Sequence, residues 1–462
     1  MDKNIRIAIL GGGPAGLAAG MNLEKKGYDN YTIFERLDRV GGKCCSPIYN
    51  DRHYEMGAIM GVPCYYAVEE IEDFCGVTHD GPTLGSNYKD ENGNVIEPYA
   101  RTLINIIKNP WMLKMKKQLA RFGELLETKY KGYDINGHRG VAEGRYEGYA
   151  VSRELERVEG VNPNLKDLSM PFKDFCEMNG VPLVQKIWAV PFTTFGYGYF
   201  DEIPAAYVLK YLDFQTCMYF VKGNLWTWEK GTQEIWNQLN AHLKHPARLN
   251  SHVEKVNRRD GKVYVTVNGT EEEFDKVIVT TPLHIPGTRD DGQKGMDEFF
   301  DVREDEKELF SKIDYERYDV HAWLIKPENQ PIRSYYPFYH MVAEKLGHMM
   351  ICYRRWKDTT DQVITTYALR KHRDREEIPY EKSRQMVQED LKQMKNPAEE
   401  NVNGWSVYYF PHVFSEDYAD GWYDKVEAMQ GKYDTYYAGE IMSFGDMEET
   451  AQYSKELIGR FF

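Results

Sequence analysis

The sequence predicts a mixed α/β protein: a Rossmann-like nucleotide-binding unit on a parallel sheet, with a helical cap and a mostly antiparallel sheet inserted into it. Three observations carry this reading. A glycine cluster joins the first apolar strand to a helix. A strand, a glycine, an acid and a helix recur at the far end of the chain. Between them, several strand-like runs fill the region from 321 to 410.

Ile5-Arg6-Ile7-Ala8-Ile9-Leu10 reads as a buried strand running into Gly11-Gly12-Gly13-Pro14-Ala15-Gly16. Leu17, Ala18, Met21 and Leu23 then mark a helix that stops near Gly27. Tyr31-Thr32-Ile33-Phe34 gives a second strand ending in Glu35, which completes a βαβ unit. From 82 to 230 the chain is mainly helical, with Met112, Met115, Leu119, Phe122 and Leu126 on one amphipathic face. Residues 131–167 are Gly-rich, charged and poorly periodic, and read as a loop insertion or a mobile linker. Strand character returns at 263–267 and 277–280, and the polar, acidic stretch 287–308 marks a boundary crossing. Further strands follow at 321–325, 349–353, 363–369 and 405–410, around a helix bearing Met386, Val387, Leu391 and Met394. A strand at 435–438 and a helix at 447–461 close the chain.

At 462 residues the chain suits about three domains, or two with a large insertion. With 58 basic against 72 acidic side chains, the net charge of −14 repels a phosphate backbone, and no basic block offsets it. Nucleic acid is therefore excluded as the expected partner. Seven cysteines with no CxxC point to the reducing cytoplasm rather than to a disulfide framework. No leader-like segment and no run of 18 apolar residues is found, so no transmembrane segment is expected. Transient contact with a membrane surface stays open, as does the oligomeric state. HExxH, Walker A and G-x-S-x-G are absent, and the twelve histidines are scattered, so no metal is expected. Cys44-Cys45 reads as packing rather than as a redox pair.

The glycine cluster satisfies GxGxxG between a strand and a helix. Gly11 makes the turn, Gly13 admits a diphosphate, and Gly16 lets the helix pack on the strand, while Pro14 and Ala15 open its first turn. Glu35, 19 residues beyond Gly16, is placed to accept from ribose hydroxyls. Arg36 follows, and Gly41-Gly42-Lys43 would let backbone pass close to a second phosphate or a flavin. Gly439-Glu440 adds a C-terminal strand, glycine and acid, which a simple NAD domain does not need.

These three pieces resemble the flavin-binding signature of the flavin amine oxidase superfamily. The chain is further similar to bacterial FAD-dependent polyunsaturated fatty acid (linoleate) isomerases. The similar blocks include Tyr54-Glu55-Met56-Gly57-Ala58-Ile59-Met60-Gly61-Val62-Pro63, Pro191–Gly198, Pro204–Phe214, Leu225–Trp228, Tyr408–Val413 and Ala438–Gly445. The resemblance implies non-covalent FAD, since no cysteine follows Cys352, and it adds Gly57, Ala58, Ile59, Val253 and Met442 to the flavin contacts. It also implies a discontinuous FAD domain (1–82, 231–286, 426–462), a helical cap and substrate channel (83–230) and a substrate domain (287–425).

A free polyunsaturated fatty acid is the implied substrate. It would be converted to a conjugated isomer by hydride abstraction to and return from flavin N5, with no catalytic side chain. Thirteen aromatic residues in the 41 positions from Trp188 to Trp228 agree with an apolar tunnel, and equally with an aromatic core. Phe195, Tyr197 and Phe220 are expected on the substrate. The family's carboxylate-binding arginine falls on Ser86, with Lys89 the nearest base, so a weakened or relocated anchor is expected. An FAD oxidase or desaturase of an amine or polyene is the alternative, and a flavin-containing fatty-acid-binding protein is a third reading.

Overall fold

The computed structural model describes residues 2–96, 111–130, 138–139, 156–157, 164–285, 289 and 294–462. The loop insertion expected over 131–167 lies almost wholly outside the described residues, as does the start of the acidic stretch 287–308.

β1 (Ile7–Leu10) is buried at every position and leads through the glycine cluster into α1 (Pro14–Lys25). That helix is apolar on most sides because it packs between the sheet and the last helix. β2 (Tyr31–Phe34) follows, then β3 (Ser86–Lys89) and β4 (Val95–Ile96). The cap contributes α2 (Trp111–Glu127), α3 (Ala205–Tyr211) and α4 (Phe214–Lys222). α4 starts where Asp213 accepts the Thr216 N–H at 2.7 Å and stops at Gly223, whose φ of 71° ends the helix without Cβ strain. β5 (Val253–Arg259), β6 (Lys262–Val267) and β7 (Thr270–Phe274) form an antiparallel three-stranded sheet, and β8 (Lys276–Val279) follows.

Further elements include β9 (Asp314–Ile325), β10 (Ser334–Pro337), β11 (Met349–Tyr353), β12 (Ile364–Leu369), α5 (Tyr380–Gln393), β13 (Ala398–His412), β14 (Thr435–Tyr437) and α6 (Met447–Phe461). β14, β8, β1 and β2 make one parallel sheet, in the register Thr435–Val277, Lys276–Ile7 and Ile7–Tyr31. Three distant stretches of chain thus meet in four strands. A seven-stranded sheet runs β13-β9-β12-β11-β10-β3-β4, antiparallel except where β10 pairs with β3.

Several strands escape the sequence reading. Residues 86–96 were expected in the helical cap but form an edge of the large sheet, because pairing of Ser86 with Ser334 is long-range and leaves no local signature. β5 and β7 are charge-rich and are held by β6 between them. β9 begins seven residues before the expected 321, since its Asp-Tyr-Glu-Arg-Tyr-Asp start looks polar yet is largely buried.

Among those buried charges, Asp319 is paired. Arg370 Nε donates to Asp319 Oδ1 at 2.8 Å, its Nη1 donates to Glu377 and to the Ile378 carbonyl at 2.6 Å each, and its Nη2 donates to Ser406 Oγ at 2.8 Å. One guanidinium therefore ties β12 to β9, β13 and the loop before α5. Breaking a buried pair strands the surviving charge, which costs several kcal/mol. Asp319→Ala is expected to destabilise the protein by about 3–5 kcal/mol, seen as a lower midpoint in chemical denaturation. A midpoint within error of wild type would show that this pair does not hold the sheet.

Candidate active site

The site starts from the turn after β1. Gly11 has φ +111°, a conformation that favours glycine, and a Cβ on Gly16 would lie 1.9 Å from the Gly11 carbonyl oxygen. Helix and strand therefore approach more closely than any side chain permits. Gly13 is the N-cap of α1, and no side chain caps the first turn. The helix dipole and unpaired N–H groups of that turn suit an anion. Glu35 is buried at the end of β2, its Oε2 accepting the Gly12 N–H at 2.7 Å and its Oε1 the Leu37 N–H at 2.8 Å. A carboxylate held this way retains acceptor capacity for ligand hydroxyls.

A cleft of about 480 Å³ opens along this turn. Gly11, Gly13, Pro14, Ala15, Glu35, Arg36, Gly42, Lys43, Val253, Gly439 and Glu440 line it. Gly16 serves the helix–strand contact, and Met442 is buried in the turn after Glu440. The cleft's residues, drawn from three remote segments, fit a dinucleotide with its diphosphate at α1.

A second cavity of about 130 Å³ lies against the first. The two share Pro14, Lys43, Trp405, Val407, Glu440 and Thr450 as wall. At that wall Lys43 Nζ donates to both Glu440 oxygens, at 2.7 and 2.6 Å, joining residues 397 positions apart. Gly57, Ala58 and Ile59 line this second cavity rather than the cleft, which places them at the junction side.

Aromatic rings make most of the second cavity. Tyr211 and Phe444 stack at 4.8 Å, Tyr197 meets Phe444 at 4.6 Å, and Tyr318 stacks on both Tyr367 and Tyr409. Their polar tips are turned to protein: Tyr409 Oη donates to Tyr197 Oη at 2.9 Å, and Trp405 Nε1 donates to the Met56 carbonyl at 2.6 Å. Burial pushes the hydroxyls of Tyr65, Tyr197, Tyr211, Tyr318, Tyr367 and Tyr409 far above the ordinary tyrosine range. Cys44, also in the lining, is raised to about 12 by the same cause. The pocket is therefore apolar and uncharged over most of its surface, with Lys43, Glu440 and Asp446 at its polar end.

Of the expected substrate residues, Phe195 and Tyr197 line this pocket. Phe220 packs behind it, 5.7 Å from Phe195 and 6.2 Å from Tyr211 between ring centres. Ser86 lies apart, exposed at the start of β3, the strand next to the edge of the large sheet. Lys89 sits on the far face of the large sheet, its ammonium 3.8 Å over the Tyr335 ring, so it does not replace a base at the pocket. Among the aromatics of 188–228, Phe195, Tyr197 and Tyr211 face the cavity, whereas Trp188, Phe192 and Tyr207 are core. The sequence reading missed the sheet wall: Tyr318 and Val320 on β9, and Trp405, Val407 and Tyr409 on β13. Their spacing of two is the signal that could have found them.

The chain matches the family of flavin containing amine oxidoreductases over residues 14–287. It superposes on the crystal structure of a CLA-producing fatty acid isomerase from P. acnes with a TM-score of 0.88 and 44% identity, covering 100% of both chains. A polyenoic fatty acid isomerase from Ptilota filicina is 24% identical over 307 residues. That match takes in 61% of this chain and 57% of the relative, so it spans little more than half the relative's length. Putrescine oxidase bound to putrescine shares the fold at 13% identity, with a TM-score of 0.67 over 99% of this chain and 98% of that one.

The glycines separate packing from ligand binding. A methyl on Gly13 would meet only Gly42 Cα, at an ordinary 3.8 Å. Gly16→Ala is expected to cost about 1–3 kcal/mol through overpacking, while Gly13→Ala stays within about 0.5 kcal/mol of wild type. Thermal melts of the two purified variants check this, and equal melting points would refute the assigned roles.

Proposed function

Because the chain belongs to the flavin containing amine oxidoreductase family, we propose that it is an FAD-dependent isomerase that converts a free polyunsaturated fatty acid such as linoleate to a conjugated isomer. The observation that carries this is the largely apolar, aromatic-lined pocket sharing a wall with the nucleotide cleft. The 44% identity to a CLA-producing fatty acid isomerase over the whole chain supports the same reading.

The first turn of α1 would hold the diphosphate of FAD and Glu35 its ribose, with Lys43 and Glu440 on the side of its ring system. All seven cysteines are free thiols and none follows Cys352, which supports non-covalent binding. When bound, FAD would supply at N5 the acceptor and donor for the hydrogen that moves between carbons of the diene. The protein's own residues hold the chain and exclude water. The stacked faces of Tyr318, Tyr367 and Tyr409 present electron-rich surface to any positive charge on the substrate, and rigid rings fix which carbon lies at the reaction centre. Lys43 and Glu440 neutralise each other, so the wall adds no net charge.

The test is anaerobic incubation of the purified, flavin-loaded protein with linoleate deuterated at C11. Growth of conjugated-diene absorbance with label kept in the product is expected. Product with an additional double bond, formed only when oxygen or another acceptor is supplied, would establish the oxidase or desaturase alternative instead.

A pH profile provides an independent check. With every lining tyrosine held protonated and no acid–base pair in the reaction, kcat is expected to vary less than about twofold between pH 6 and 9. A bell-shaped profile would mean that a side chain moves a proton.

A further inference from the structure

On the far face of the seven-stranded sheet, remote from both cavities, two histidines and an aspartate converge. His340 lies in the turn after β10, His348 directly precedes β11, and Asp390 comes from α5. One potential ligand atom from each lies within 4.8 Å of the others. Tetrahedral Zn²⁺, with bonds of about 2.0–2.2 Å, spaces its ligand atoms about 3.3–3.6 Å apart, so sub-ångström to ångström-scale closure suffices.

The contacts around the cluster orient it. His340 is 1% exposed, and its Nδ1 lies 2.6 Å from the Met349 carbonyl oxygen, which fixes the ring proton on Nδ1. Its Nε2 then carries a lone pair and lies 4.0 Å from Asp390 Oδ1, beyond hydrogen-bond distance. Two acceptors facing each other in a buried site is an arrangement that a cation resolves. The Met349 N–H donates to Asp390 Oδ2 at 2.9 Å, so the backbone of one residue braces two of the three side chains. His348 Nδ1 sits 3.0 and 3.1 Å from the two carboxylate oxygens, and its ring is 28% exposed, which gives an entry path and room for a water ligand.

We propose that His340, His348 and Asp390 form a binding site for a divalent transition-metal ion of the Zn²⁺ class, fastening α5 to the connection between β10 and β11. Two imidazoles and one carboxylate suit Zn²⁺ or Co²⁺ and disfavour Mg²⁺ and Ca²⁺, which take oxygen ligands. The role is structural, since neither cavity contains these residues.

Chelator-treated, flavin-loaded protein titrated with ZnCl₂ in a non-coordinating buffer is expected to show one saturable site per chain and a higher melting temperature, with MgCl₂ giving neither. His348→Gln, at the partly exposed ligand, should weaken that site by at least about tenfold and abolish the thermal shift, while keeping the melting temperature of the metal-free wild type. Bound Co²⁺ should give a visible absorption band in wild type that His340→Gln and His348→Gln both lose. Absence of a saturable site in wild type, or undiminished Zn²⁺ binding by His348→Gln, would overturn the proposal and leave the three residues as a hydrogen-bonded clamp.

Discussion

The architecture depends on how closely α1 approaches the end of β1. With no side chain at Gly16, the helix rests against the Gly11 carbonyl, and its first turn opens at the edge of the parallel sheet. Everything in the cleft is placed relative to that turn. Glu35 is pinned by the Gly12 N–H, Gly42 lies beside Gly13, and β8 and β14 extend the sheet so that Gly439 and Glu440 reach the same opening. A parallel sheet binds ligands beyond the carboxyl ends of its strands, and here three remote chain segments end at that edge.

The two faces of the seven-stranded sheet perform different tasks. Along β9, Tyr318, Val320 and Ala322 face the main core and the aromatic pocket, while Trp323 and Ile325 belong to a second core under α5. The near face buries tyrosine hydroxyls that bond to one another, as Tyr409 and Tyr197 do, or to backbone carbonyls, as Tyr318 and Tyr367 do, and that burial keeps neutral. The far side handles charge, in the Arg370–Asp319–Glu377 network and in the His340–His348–Asp390 cluster. Such separation lets an apolar pocket lie one strand thickness from fully buried ions.

The Lys43–Glu440 pair links these parts. It forms the common wall of cleft and pocket, and it fastens the start of the chain to its end. Because both side chains are about one-quarter exposed, its direct contribution to stability is small. Its importance is positional: it closes the junction without placing net charge beside an apolar cavity.

The sequence by itself determined the nucleotide-binding half. GxGxxG between strand and helix, Glu35 at the next strand end, the Gly41-Gly42-Lys43 turn and the C-terminal Gly439-Glu440 are local patterns, and local backbone geometry is what glycine and short spacing encode. It also marked the aromatic density of 188–228, from which Phe195, Tyr197 and Tyr211 emerge in the pocket. Only the tertiary structure decided which aromatics are lining and which are core, because both uses require the same buried rings. It alone supplied the opposite wall from Tyr318, Tyr367, Trp405 and Tyr409, placed Ser86 at the exposed start of a strand in the large sheet, and extended β9 through buried charges. The cluster of His340, His348 and Asp390 was equally hidden. Its members lie up to 50 residues apart in the chain, and pairing across a sheet and a helix is a long-range event that leaves no trace in local periodicity.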